Sequence, residues 1–135
     1  MVEHCVDVEK KALGVDVANV AEEIESLGRA ERHEIKSRLA QIGLHLLKQQ
    51  YQPERATPSW ANTIFEQADE IQARLEESPS LQREMPAFMA AAYPRARRKA
   101  QRETGLPAAT FPKTPTPEFE AALAAALAAA IGEDD

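Results

Sequence analysis

The stretch that decides the fold is residues 16–54, which read DVANVAEEIESLGRAERHEIKSRLAQIGLHLLKQQYQPE. Apolar residues recur through it with the 3.6-residue period of an α-helix: Val17, Val20, Ile24, Leu27, Ile35, Leu39, Ile42 and Leu46. Glu31 occupies the position between Leu27 and Ile35 where this stripe requires an apolar side chain. Because sequences break a consistent local pattern mostly at functional or strained places, Glu31 is the first candidate site residue.

The length of this element argues against a single straight helix. From residue 17 to residue 50 an unbroken helix would extend about 50 Å, which exceeds the expected width of a domain of this size. Gly28 is the weakest helix former in the run, so we predict a bend or short break near residues 28–32. Gly14 is a natural helix stop, which predicts a separate short helix over residues 2–13.

Capping residues mark further helices. Thr57 and Pro58 predict the start of a helix whose inward stripe is Trp60, Ile64, Ile71 and Leu75. Another helix is predicted over residues 86–104, kinked at Pro94 and ended by Gly105. Its inward residues are expected to be Phe88, Met89, Ala92, Ala96 and Ala100.

The C-terminal part combines a proline-rich connection with an alanine-rich helix. Four prolines lie in residues 106–117, which predicts an extended path without a partner strand. Thr116 caps and Pro117 opens the last helix, whose inward residues are predicted to be Phe119, Leu123, Leu127 and Ile131. Alanine buries little area, so this helix is expected to pack weakly or against a second copy of the chain.

These elements predict an all-α protein. We expect one domain over residues 1–135, an irregular bundle of about five helices around a long bent central helix. Its parts are a short N-terminal helix in residues 1–15, a core in residues 16–105, the connection in residues 106–117 and the terminal helix in residues 118–131. Aromatic residues at 5% and only five glycines leave little material for sheets.

Composition narrows the class of partner and the compartment. The formal net charge of −6 argues against a protein that coats nucleic acid, because phosphate neutralisation needs a basic surface. The single cysteine, Cys5, cannot form an intramolecular disulfide, which fits a reducing cytoplasm. The alanine-rich segment is too short to span a bilayer, so no membrane association is expected.

Several motifs together resemble a known family. The run AEEIESLGRAERHEIKSRLAQIGLHLLKQQYQPE is followed in order by SWANTIFEQADEI, ESPSL, RARRKAQRETGLP and TFP. This order resembles the bacterial family called domain of unknown function 29, over roughly residues 17–112. The resemblance implies a compact all-helical protein of bacterial origin, and it implies no particular activity.

The two ends depart from that family. Its members usually begin with a longer aromatic helix, whereas this chain begins MVEHCVDVEKKALG. Where they usually end in an aromatic and acidic segment, this chain has the alanine-rich helix. The resemblance therefore implies a diverged or shortened N-terminus, which would impair any site that uses the first helix.

Polar residues near Glu31 form the main candidate site. Arg38 follows Glu31 by seven residues and His45 follows Arg38 by seven, so one side of a helix carries all three. Such a surface suits a small anionic ligand, with Arg38 as a bidentate donor and His45 as a titratable group. The alternative is a buried ion pair that only stabilises the fold. The full constellation is Glu22, Glu23, Glu31, Arg38, His45, Lys48, Tyr51 and Trp60. Trp60 is interpreted either as one wall of a ligand pocket or as a core aromatic.

A basic cluster lies in the helix over residues 86–104. It consists of Arg95, Arg97, Arg98, Lys99 and Arg102. RNA phosphates or an acidic protein surface are possible partners for such a patch. Pairing with acidic residues of the same chain is the simpler interpretation.

No pattern in the chain indicates catalysis, a metal or a cofactor. The histidines and the cysteine are scattered, and neither histidine of the long helix has glutamate three residues before it. The sequence contains no nucleophile elbow and no phosphate-binding loop. We therefore predict a non-enzymatic protein-interaction module of the bacterial cytoplasm with an unknown protein partner and a possible homodimer. The alternatives are a nucleic-acid-binding or toxin-neutralising protein that uses the basic cluster, and a ligand-binding or enzymatic site around Glu31, Arg38 and His45.

Overall fold

The fold is built from helices. A computed structural model describes the backbone of residues 7–132 and the side chains of residues 28–131. The described part contains four α-helices: α1 (Asp7–Tyr51), α2 (Pro58–Glu77), α3 (Met85–Thr104) and α4 (Pro117–Gly132). Short 3-10 helices lie between them at Pro53–Arg55, Pro79–Glu84 and Ala108–Thr110. No strand occurs in residues 7–132, which confirms the all-α class and corrects the helix number from about five to four.

The longest element, α1, is one helix of 45 residues. It passes through Gly14 and Gly28 without interruption, so the predicted separate N-terminal helix was wrong, and of the bend or short break predicted near residues 28–32 the break does not occur. A glycine in a helix costs only about 1 kcal/mol relative to alanine, which is too little to end a helix of 45 residues. Residues 1–6, part of the predicted first helix, lie outside the described residues.

The chain divides into two units at His33, within α1. The first unit ends at His33, and in its described residues it consists of α1 alone. The second unit, Glu34–Asp135, contains the remainder of α1 together with α2, α3 and α4.

The second half of α1 provides the centre of the second unit. The predicted apolar stripe enters the core there, since Ile35, Leu39, Ile42 and Leu46 are buried. Gly43 marks the closest approach of neighbouring helices. A Cβ atom at Gly43 would lie 2.8 Å from Cβ of Ala96 in α3 and 3.3 Å from Cζ of Phe119 in α4. Small residues at positions 43 and 96 therefore allow α3 to pack directly on α1.

The inward sides of α2 and α3 follow the sequence pattern with one exception. Three predicted residues of α2 are buried, namely Ile64, Ile71 and Leu75, whereas Trp60 is only half-buried. All five predicted residues of α3 are buried. Gly105 ends α3 in the left-handed conformation, with φ of 74°, as its position predicted. The helix continues through Pro94, which is exposed.

Side chains of α3 hold the connection to α4. The 3-10 helix at Ala108–Thr110 interrupts the extended path that was predicted for residues 106–117. Arg97 donates two hydrogen bonds and Tyr93 donates one to backbone carbonyl oxygens of this connection. The distances are 2.8 Å to Ala108, 2.9 Å to Phe111 and 2.8 Å to Pro112.

The start of α4 is capped and packed as the sequence indicates. The backbone N–H of Phe119 donates to Oγ1 of Thr116 at 3.1 Å, which confirms the predicted cap. The Phe119 ring contacts Tyr93 edge-on, with 5.1 Å between ring centroids. Further along, Nε2 of Gln72 in α2 donates to the carbonyl oxygen of Leu127 at 3.0 Å. These contacts set α4 against α2 and α3.

The end of α4 differs from the prediction. Ile131 was expected to face inward but is 63% exposed, and Ala130 is buried instead. The predicted stripe advanced by four residues at each step, and four residues turn a helix about 40° beyond a full turn. By the third step from Phe119 the stripe has rotated away from the core.

Candidate functional site

The described residues of the predicted polar constellation do not contact one common site. One of them, Arg38, belongs to a cluster of hydrogen bonds that joins α1 to α2. Arg38 donates from Nε and Nη2 to Oε2 of Glu34 at 3.0 and 2.7 Å. Its Nη1 donates to Oε1 of Gln67 at 3.0 Å. From α2, Nη2 of Arg74 donates to the same Glu34 oxygen at 2.6 Å. The carboxylate in this cluster is Glu34, which the sequence pattern did not single out.

The cluster holds Glu34 in its ionised form. Hydrogen bonds from Arg74 and Arg38 lower the pKa of the Glu34 carboxyl from 4.5 to about 2. The same contact with Glu34 raises the pKa of Arg74. A carboxylate with so low a pKa is a poor proton acceptor near neutral pH. The arrangement is suited to linking two helices.

The remaining acidic and imidazole members of the constellation lie elsewhere on α1. Nδ1 of His45 lies 2.9 Å from the carbonyl oxygen of Gln41, one turn earlier on the same helix. Glu31 is partly exposed and already has a polar partner. Glu22 and Glu23 fall outside the residues whose side chains the structure describes.

The aromatic members of the constellation pack against other helices. Nζ of Lys48 lies 4.7 Å from the centre of the Trp60 ring and 3.0 Å from Oε1 of Glu103. Lys48 therefore joins α1 to the start of α2 through a cation–π contact with Trp60, and to the end of α3 through an ion pair with Glu103. Tyr51 contacts Phe111 edge-on at 5.3 Å between centroids.

The basic cluster of α3 is partly used inside the protein. Nη1 of Arg95 donates to Oγ of Ser37 in α1 at 3.0 Å. Arg97 holds the connection before α4, as described above. The other members are partly or fully exposed: Arg98, Lys99 and Arg102. The cluster is therefore smaller as a surface patch than five cations within eight residues would suggest.

Several of the polar contacts named above connect two helices, such as those of Arg74 with Glu34 and of Lys48 with Glu103. Among the side chains of residues 28–131, no three His, Cys, Asp or Glu residues converge in a group that could hold a metal ion. None of the described helices is both long and apolar enough to cross a membrane.

The outer side of α4 is the most unusual surface of the described residues. Residues 121–131 read AALAAALAAAI and contain no polar side chain. A helix that is apolar on every side is ordinarily buried, and surface helices ordinarily have a polar outer side. In α4 the outer residues are nonetheless exposed. We call them the α4 face: Ala121, Ala124, Ala125, Ala128, Ala129 and Ile131.

An apolar groove of about 400 Å³ adjoins the α4 face. We call it the α2–α4 groove; its lining is Leu46, Gln49, Ala61, Ile64, Phe65, Ala122, Ala125, Ala126 and Ala129. Alanine side chains are too short to fill the space between the helix backbones, so the groove stays open. Phe65 is 44% exposed and, with Ile131, is one of the two large apolar side chains exposed among the described residues.

A second apolar groove lies along the other side of α4. Its volume is about 320 Å³. Its lining comes from α1, α3, α4 and the 3-10 helix at Pro79–Glu84: Leu39, Gln82, Met85, Pro86, Met89, Glu120, Leu123, Ala124 and Leu127. The α4 face is thus bordered by apolar grooves on two sides.

Acidic residues border the α2–α4 groove. Asp69 follows Phe65 by four residues on the same side of α2, and Glu118 precedes Ala122 by four residues on α4. Both carboxylates are exposed. The helix α4 contains no Lys, Arg or His, and the one basic residue of α2, Arg74, pairs with Glu34. The rim that these two helices contribute is therefore negative.

Part of this surface could be recognised from the sequence. The alanine-rich composition predicted a helix that packs weakly or against a second copy of the chain. In the structure α4 packs on α2 through its inner side, and its outer alanines form the exposed α4 face. Phe65 was missed because it lies next to Ile64, outside the inward stripe of α2. An aromatic residue one position from a core stripe is the available signal, and it acquires meaning only beside the alanines of α4.

Comparisons with known proteins identify the family. A family model described as Domain of unknown function DUF29 matches residues 8–127. This match reaches beyond both ends of residues 17–112, the part in which the motifs were recognised. No curated protein and no solved structure matches the chain significantly. Since the family model covers most of the chain, the protein belongs to the DUF29 family.

Proposed function

We propose that the protein is a non-enzymatic protein-interaction module of the bacterial cytoplasm, and that its binding surface is the α4 face with the α2–α4 groove. The observation that carries this proposal is the exposed apolar run of residues 121–131. Large exposed apolar patches on soluble domains mark interaction surfaces or ligand grooves, because leaving them in water costs about 25 cal/mol per Å². The single cysteine of the chain fits a reducing compartment.

The polar clusters support a non-enzymatic role. Glu34 is held ionised between Arg38 and Arg74, and Lys48 is engaged by Trp60 and Glu103. A catalytic site requires polar groups that converge on a space where a substrate can lie. The α2–α4 groove has only one polar lining residue, Gln49. Its chemistry suits apolar contact between two proteins.

Site-specific photo-crosslinking in the native cells tests this function. A photo-crosslinking amino acid replaces Ala128 on the α4 face, and in a matched control it replaces Ala91, an exposed alanine of α3. We expect a discrete adduct with a second protein from position 128 and none from position 91, because only the α4 face is covered in the complex. Adducts are identified by their mass and by peptide sequencing.

Two results would separate the possibilities. If position 128 gives no adduct beyond that of position 91, the α4 face is not an interaction surface and the proposed function is wrong. An adduct of twice 14.9 kDa made only of this chain would retain the interaction module and identify the partner as a second copy.

A further inference from the structure

The charge and shape of the α2–α4 groove point to one class of partner. Building on the proposed function, we infer that this groove binds a basic amphipathic helix of another protein, with bulky apolar side chains in the groove and Lys or Arg beside them. The inference rests on the groove's length, on its alanine lining and on the acidic residues at its rim.

The groove matches one side of a helix in length. Its lining on α4 runs from Ala122 to Ala129, which is seven residues or about 10 Å along the helix. Helices that bind in grooves insert side chains at positions i, i+3 or i+4, and i+7, which span the same distance. The alanines leave room for such side chains, and Phe65 offers them an exposed aromatic ring.

The charges at the rim of the groove favour basic residues beside the apolar stripe of the partner helix. Asp69 and Glu118 are exposed carboxylates, and each lies four residues along its helix from a lining residue of the groove, Phe65 or Ala122. Lys or Arg beside the apolar stripe of a partner would lie near them, whereas Glu or Asp there would be repelled. Because both carboxylates are exposed, salt should weaken this selection.

The same charges disfavour two other occupants. The stripe of α1 that a second copy could offer includes Val20 and Ile24, and Glu22, Glu23 and Glu25 accompany it in the sequence. Those acidic residues would meet an acidic rim. Anionic lipid headgroups would meet the same repulsion. A basic helix of another protein combines the apolar fit with the opposite charge.

Binding of two model peptides to the full chain tests the inference. Each peptide has about 18 residues, enough for about five helical turns, with leucines at helical spacing. One carries lysines beside the leucines and the other carries glutamates at the same positions. Fluorescence anisotropy with labelled peptides measures both affinities at low salt and at about 0.15 M salt. We expect the lysine peptide to bind at least about tenfold more tightly at low salt and the difference to shrink at higher salt.

Two sets of variants connect the binding to the groove. The neutral double variant Ala125→Gln/Ala129→Gln fills the groove with polar side chains and should weaken the lysine peptide by about tenfold or more. Its matched control, Ala87→Gln/Ala91→Gln, makes the same changes at exposed positions of α3 and should leave binding unchanged. The variant Asp69→Lys/Glu118→Lys should reverse the preference toward the glutamate peptide. Circular dichroism checks that each variant keeps its helical content.

Four outcomes of the peptide experiments would overturn the inference. They are equal binding of both peptides, no binding of either, equal loss in the groove variant and its α3 control, and an unchanged preference in the charge-reversed variant. Sedimentation equilibrium that shows a dimer broken by Ala125→Gln/Ala129→Gln would assign the groove to a second copy. Flotation with phosphatidylcholine vesicles that carry the protein along would assign it to lipid. Both results overturn the basic-helix inference, while an adduct at position 128 would still support the interaction module.

Discussion

At the scale of single residues, Gly43 determines how closely α1, α3 and α4 approach. Its position was inconspicuous in the sequence, because a glycine inside a helix reads only as a weak helix former. In the structure, Ala96 and Phe119 occupy the space that a side chain at position 43 would need. Gly28 lies on the same helix, and among the side chains that the structure describes an added Cβ there would meet only the flexible end of Arg32, with Nη1 at 3.0 Å.

The two glycines should therefore respond in opposite directions to alanine. Gly43→Ala should lower the free energy of unfolding by about 1–3 kcal/mol, because overpacking against Ala96 outweighs the gain in helix propensity. Gly28→Ala should raise it by up to about 1 kcal/mol, because Arg32 can move aside. Urea unfolding followed by circular dichroism measures both values. Equal stabilisation by the two substitutions would mean that the helices do not meet at Gly43.

At the scale of elements, the link between α1 and α2 depends on Glu34. One carboxylate oxygen accepts hydrogen bonds from Arg38 on its own helix and from Arg74 on the neighbouring helix. The side chain of Glu34 is 36% exposed, so solvent screens the interaction and its contribution stays near that of a surface ion pair. The low pKa of Glu34 makes this contribution dependent on pH.

We expect Glu34→Gln to reduce the free energy of unfolding by about 0.5–1 kcal/mol near neutral pH. The folded pKa of Glu34, about 2, lies below the ordinary 4.5, so the stabilisation is complete above about pH 4.5 and is lost as pH falls through 2. The difference between wild type and Glu34→Gln should disappear over that range in urea unfolding at successive pH values. Glu70→Gln is the control, since Glu70 lies 3.8 Å from Arg74 and should matter less. A difference that does not vary with pH would contradict the ionised link.

At the scale of the whole molecule, charge is unevenly placed. The net charge is −6, and α2 and α4 border their groove with carboxylates, while the exposed cations of α3 include Arg98 and Arg102. Nucleic-acid binding through α3 would need enough free cations to overcome the acidic remainder of the chain. Arg95 and Arg97 are engaged inside the protein.

We therefore expect no measurable binding of a single-stranded RNA oligonucleotide at about 0.15 M salt. Filter binding or anisotropy with the full chain measures this directly. Binding that falls steeply with salt, and that Arg98→Glu/Arg102→Glu abolishes, would instead support the nucleic-acid alternative. Arg97 should be left unchanged in this test, because its substitution would release the connection before α4.

The sequence predicted the features that depend on local rules. The helical class, the ends of α2 and α3, the cap at Thr116 and most inward residues follow from side-chain periodicity and from backbone preferences of Gly, Pro and Thr. The errors came from rules applied beyond their range. Gly14 and Gly28 were given more weight as helix breaks than a cost of about 1 kcal/mol allows. Ile131 was wrongly predicted to face inward, because residues spaced by four drift around the helix.

The candidate site could be predicted less well. Glu31, Arg38 and His45 share one side of a helix in the sequence pattern, yet the partner of Arg38 in the structure is Glu34, and Arg74 completes the cluster from a different helix. Phe65 and the alanines of α4 lie more than fifty residues apart, and only their packing forms a groove.

The sequence by itself determined which segments are helical and which of their sides are apolar, because these depend on neighbours a few residues away. The tertiary structure alone decided which charges pair and which apolar surface stays open, because both depend on distances between helices that no local pattern contains.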